Sequence, residues 1–128
     1  MKKDNIYTFN KNLLYIFDIM LKTFPKNNDI FFMRKKFILM KKINESYAIK
    51  SNYNYLWKNR DKIFEKDIKY FCDIENTNYK NSDEKNMYSR NLSMSKELLD
   101  KISSDDMDKI WNHLNIILES SISYKLEE

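Results

Sequence analysis

A chain of 128 residues without one glycine has few ways to reverse direction tightly. Two-residue hairpins depend on backbone with positive φ, which glycine supplies at no steric cost. Without it, β-meanders and sandwiches are hard to build. Helices joined by Asn, Ser and Pro turns remain accessible. Valine is also absent, and alanine and proline each occur once, as Ala48 and Pro25. Any core must therefore be filled by Phe, Ile, Leu and Met. The only strand-like run is Tyr47-Ala48-Ile49. The expected fold is all-α: a single compact bundle of five or six helices, forming one domain over 1–128.

Apolar periodicity places the helices. Phe9, Leu13, Phe17, Met20, Leu21 and Phe24 recur at three- and four-residue steps, and Pro25 closes that helix. Asp29 is the expected cap of a second helix over 30–48, whose main stripe is Phe32, Met33, Leu39, Met40 and Ile43. In the region 52–74, Tyr53, Leu56, Trp57, Ile63, Phe64, Ile68 and Phe71 share a face. An unbroken helix there would draw Arg60 and Asp67 into the apolar side, so a break near Asn59–Asp61 is favoured. The polar, aperiodic stretch 75–91 reads as a mobile loop. Ser93 or Ser95 starts a short helix ending at Ile102. The last helix starts at Ser104 and runs to about Ser121, with Met107, Ile110, Trp111, Leu114, Ile117 and Leu118 on one stripe. Asp105, Asp106 and Asp108 stand in its first turn, where the helix dipole favours negative charge.

Several chemistries are closed by composition. Phosphate-cradling loops of the Walker and dinucleotide types need glycine. One histidine, His113, and one cysteine, Cys72, give no zinc-ligand spacing. His113 reads as a packing residue at the edge of the last stripe. Cys72 follows Tyr70–Phe71 and reads as a buried, inert thiol. The acidic cluster at 105–108 is explained by capping, whereas two-acid hydrolases place their carboxylates across a cleft. No catalytic residue, cofactor or metal site is expected, and the chain reads as a non-enzyme. No apolar run is long enough to span a membrane. The N-terminus lacks a secretory pattern, so an intracellular or virion location is expected.

The best binding candidate lies on the second helix. Phe31 and Ile38 fall outside its main stripe, flanked by Arg34 and Lys41 on one side and Lys35 and Lys42 on the other. An apolar strip framed by cations suits an acidic amphipathic helix, a membrane face or phosphates. Lys stems passing over a helix buried on two sides would look the same. Charge is divided unevenly: residues 1–64 carry fourteen Lys/Arg against five Asp/Glu, and residues 65–128 carry nine against fourteen. Attraction between the two halves explains this economically. The expected function is a protein–protein interaction module; the alternative is a basic nucleic-acid-binding accessory protein.

The abundant residues, Lys, Asn, Ile, Tyr and Phe, have A/T-rich codons, which marks an AT-rich genome. Three blocks recur in an order that resembles small proteins of nucleocytoplasmic large DNA viruses. They are Phe17-Asp18-Ile19-Met20-Leu21-Lys22-Thr23-Phe24-Pro25, Lys58-Asn59-Arg60-Asp61-Lys62-Ile63-Phe64, and the terminal helix Met107 to Leu118 with its Ile110-Trp111-x-x-Leu114 core. The resemblance implies a viral origin, as a virion component or a host-directed binder, and a helical fold. It implies no catalytic residues.

Overall fold

A computed structural model describes residues 2–68 and 101–128. It is all-α: among these residues there are five helices and no strand. They are α1 (Lys2–Thr23), α2 (Asn28–Ile43), α3 (Tyr47–Lys58), α4 (Arg60–Phe64) and α5 (Ser104–Leu126). The expected loop 75–91, the short helix leading to Ile102 and Cys72 lie outside the described residues, except for the end of that helix at Lys101.

The two long helices, α1 and α5, form the principal seam. The stripe expected on α5 is the one that packs: Ile110, Trp111, Ile117 and Leu118 are buried, and Met107 and Leu114 are partly so. On α1, Phe9, Ile16 and Phe17 are buried. Ile49 and Leu56 from α3 and Ile63 from α4 complete the core. The seam also buries polar groups at little cost, because each hydroxyl or amide bonds a carbonyl one turn back. Ser121 Oγ donates to the Ile117 carbonyl at 2.9 Å, Ser120 Oγ to Ile116 at 2.8 Å, and Asn12 Nδ2 to Thr8 at 2.8 Å. In a chain without glycine and with one alanine, serine is the small residue available for these positions.

Several boundaries differ from expectation, each for a local reason. α1 begins seven residues earlier, at Lys2, and ends before Pro25 as expected. The cap of α2 is Asn27 rather than Asp29: its Oδ1 accepts the Ile30 amide at 3.0 Å. α2 stops at Ile43, short of residue 48, because Asn44 takes an extended conformation. Its Oδ1 accepts from the Ser46 amide at 3.2 Å and the Ser46 hydroxyl at 2.9 Å, an Asx turn that competes with the helix. Tyr47-Ala48-Ile49 opens α3 instead of forming a strand. The break at Asn59 is present, although Asn59 does not cap α4 with its side chain. Its Nδ2 instead reaches back to the Tyr55 carbonyl at 2.9 Å. α5 starts at Ser104 as expected, capped by Ser103, whose Oγ accepts the Asp106 amide at 3.1 Å, and it extends past Ser121 to Leu126.

The turn after α4 shows how the fold manages without glycine. The Asp67 amide bonds the Lys62 carbonyl at 3.0 Å and the Lys66 amide bonds Ile63 at 3.1 Å, the paired bonds of a Schellman ending. The left-handed position between them, usually glycine, is held by Lys66 at φ 57°.

Candidate interaction surface

α2 packs against the body through Ile30, which is fully buried, and through Phe37, whose ring sits 6.0 Å from that of Phe17 on α1. Met33 and Met40 extend the same arc, so positions 30, 33, 37 and 40 form the inner face. The stripe read from sequence as the core face is largely turned outward. Phe32 is 62% exposed, Leu39 59% and Ile43 72%, and only Met40 of that set is half-buried. This corrects the expectation. Phe and Ile are so abundant here that α2 is apolar on two sides, and a helix at the edge of a bundle can bury only one.

The six residues predicted as a binding strip are divided by the structure. Phe31, Lys35 and Lys42 are exposed, and Phe31 meets Phe32 edge-on at 5.9 Å. Arg34, Ile38 and Lys41 are half-buried and turn toward the body. Arg34 Nε donates to Asp18 Oδ1 on α1 at 2.9 Å. The outward surface that sequence reasoning missed is Phe32, Leu39 and Ile43, framed by the exposed Lys35, Lys36 and Lys42. The signal that identifies the inner arc was present: Ile30, Met33, Phe37 and Met40 have the regular 3-4-3 spacing of a packed helix seam.

A second exposed region involves α3 and α4. Trp57 and Phe64, expected on the core face, are 43% and 78% exposed. Lys125 Nζ lies 5.5 Å from the Tyr53 ring, and Tyr53 stacks on Trp57 with 12° between the planes. The Arg60 guanidinium covers Trp57 at 4.0 Å while donating to the Trp57 carbonyl at 2.6 Å. A stacked pair of rings along this edge is therefore flanked by a cation at each end.

A cleft with charged walls lies between α1 and α5, lined by Tyr15, Asp18, Ile19, Lys22, Asp106, Lys109 and His113. Asn12 gives its amide to Thr8, so its Oδ1 faces His113 Nδ1 at 2.7 Å and accepts the ring proton. That bond assigns the Nδ1–H tautomer and leaves Nε2 as an acceptor. Burial pushes the His113 pKa below 6.5, so the ring is neutral near pH 7. Tyr15 packs on it at 5.2 Å. The carboxylates are already engaged: Asp106 with Lys22 at 3.4 Å and Lys109 at 4.0 Å, Asp18 with Arg34. Among the described residues, no Ser, Thr or Cys lines the cleft to act as a nucleophile for His113. Among the described residues, no group of three or more His, Cys, Asp or Glu is placed to hold a metal, and no helix is long and apolar enough to cross a membrane.

Comparison with protein-family models, with curated proteins and with solved structures finds no match for this chain.

Proposed function

We propose that this protein is a non-enzymatic interaction module that docks a second protein on the outward face of α2. The observation that carries the reading is the uncovered apolar row Phe32–Leu39–Ile43 between lysines on both sides. An exposed apolar row framed by polar residues marks interaction sites. Its chemistry selects an acidic amphipathic helix, whose apolar side meets the row and whose carboxylates meet Lys35, Lys36 and Lys42. A second copy of this chain is a poor occupant. A two-fold contact would set α2 against α2, and α2 carries five cations against the single acid Asp29. Covering three such side chains is worth roughly 5–9 kcal/mol before association costs of about 4–15 kcal/mol. The row therefore needs the lysines and a further anchor to hold a partner. A viral source, with an intracellular or virion location, is part of the same proposal and is supported by the A/T-rich codon composition.

The test is quantitative affinity purification from the native cell with three baits. These are the parent chain, the triple variant Phe32→Ser/Leu39→Ser/Ile43→Ser, and the control Tyr7→Ser at an exposed site on α1. The expected result is a stoichiometric acidic partner retained by the control and lost by the triple variant at unchanged thermal midpoint. Equal recovery by both variants overturns the reading. So does binding to phosphatidylserine vesicles that the triple variant alone loses, which would make the surface a membrane face.

One observation favours a second reading, single-stranded nucleic acid binding. It is the line Lys125, Tyr53, Trp57 and Arg60, two rings between two cations, since bases stack on rings while cations track the backbone. That reading requires affinity for an oligonucleotide to fall steeply between 50 and 200 mM salt. It also requires Trp57→Ala to weaken binding more than Leu39→Ser does.

A further inference from the structure

A cleft of about 230 Å³ opens between α1, the inner arc of α2 and the start of α3. Leu13, Phe17, Phe37, Met40 and Ala48 supply most of its apolar wall. The space far exceeds what one water needs. Lys36 and Lys41 line its α2 side. Asn10 lines its α1 side and is 95% buried. Asn10 Nδ2 donates to the Glu45 carbonyl at 2.9 Å, which fixes the orientation of the amide. Its Oδ1 is shut off from solvent and accepts from no group among the described residues. A buried acceptor in that state is costly.

We infer that this cleft is a socket for one tryptophan side chain of the partner helix, whose acidic neighbours meet Lys36 and Lys41. The inference rests on the interaction reading above. The walls ask for a large apolar group, and the unpaired oxygen asks for one donor. Indole supplies both. Phenylalanine or leucine would leave Asn10 Oδ1 unpaired. A lysine or arginine would bring a cation into an apolar space lined by two cations, Lys36 and Lys41, against one carboxylate, the exposed Glu45, among the described residues. Met33 and Met40 both line the cleft, and Met40, one turn before the α2 C-terminus, is the adaptable wall on the side of Asn10. Met33 is 42% exposed and, with Lys36, belongs both to the cleft and to the edge of the outward face. One helix can therefore cover the row and insert its anchor, the arrangement by which a single aromatic dominates an interface.

The test uses the full chain with isotope-labelled methionine methyls, titrated with indole and followed by NMR. Saturable shifts are expected at Met33 and Met40. N-Methylindole, the same ring without the donor, should bind about tenfold more weakly. In Asn10→Leu the two probes should bind alike, and Ala48→Phe should abolish the shifts by filling the cleft. A pentapeptide with a central tryptophan between glutamates should bind at least tenfold more tightly than indole at low salt. Absence of saturable shifts at Met33 and Met40 in the parent overturns the socket, and equal affinity for the two probes overturns the role of Asn10. A pentapeptide no tighter than indole overturns the assignment to a partner helix. The probe comparison on the parent chain needs no variant to fold. The triple variant of the outward face should bind indole unchanged, so failure of the socket and failure of the docking surface are read separately.

Discussion

α5 and α2 are both rich in large apolar residues, and they meet opposite fates. α5 lies in the principal seam against α1, and its apolar stripe is buried along the helix, from Ile110 and Trp111 to Ile117, Leu118 and Tyr124. α2 lies at the edge, and the one residue it buries completely is Ile30. Phe32, Leu39 and Ile43 face outward. Composition does not separate the two helices. What separates them is how many neighbours surround each one. A peripheral helix made from the same residues must leave apolar surface uncovered.

The largest effect expected from this contrast is at Trp111, which is 4% exposed. Trp111→Ala should cost about 3–5 kcal/mol in chemical denaturation. A loss below 1 kcal/mol would contradict the placement of α5. Ile30→Ala tests the inner arc of α2 and should cost about 2–5 kcal/mol. Lys66→Gly should stabilise by about 0.5–1 kcal/mol, because the left-handed backbone at Lys66 suits glycine better. Leu39→Ser, on the outward arc, should stay within about 0.5 kcal/mol of the parent. If Leu39→Ser instead costs as much as Ile30→Ala, the assignment of inner and outer arcs is reversed.

The smallest effect expected concerns pH and belongs to the seam. His113 has its pKa lowered by burial in the folded state. The unfolded chain therefore binds a proton at higher pH than the folded chain does. The contribution of His113 is complete above pH 6.5 and is lost as pH falls from there toward its folded value. His113→Gln should remove that part of the stability–pH curve, measured as thermal midpoints between pH 5 and 8. An unchanged curve would show that the ring stays solvated.

Much of the seam was legible because its stripes are narrow. On α5 only one face carries Ile110, Trp111, Ile117 and Leu118, so periodicity alone selects it. The break at Asn59 was legible for a different reason: a continuous helix would have buried Arg60. In the structure Arg60 lies over Trp57 instead. The orientation of α2 was not legible from its most hydrophobic stripe, since Phe31 and Phe32 begin one arc just after Ile30 begins the other. Choosing between them required the regular spacing of Ile30, Met33, Phe37 and Met40, which the larger side chains at 32, 39 and 43 obscured. The buried Asn10, Asn12 and Ser121 left no trace in the pattern. Their bonds are local carbonyl contacts or, for Asn10, a contact with Glu45 thirty-five residues away. The cleft beside Asn10 forms only when three helices converge, so no segment of the chain announces it.

Lys66 also bears on how this molecule can change over generations. Lysine codons become glycine codons only through two A-to-G exchanges, so no single nucleotide change offers this position its preferred residue. An improvement that a protein engineer makes in one step takes two by mutation. The chain keeps a slightly weaker turn than its backbone would accept, and its conformational safety margin is that much narrower.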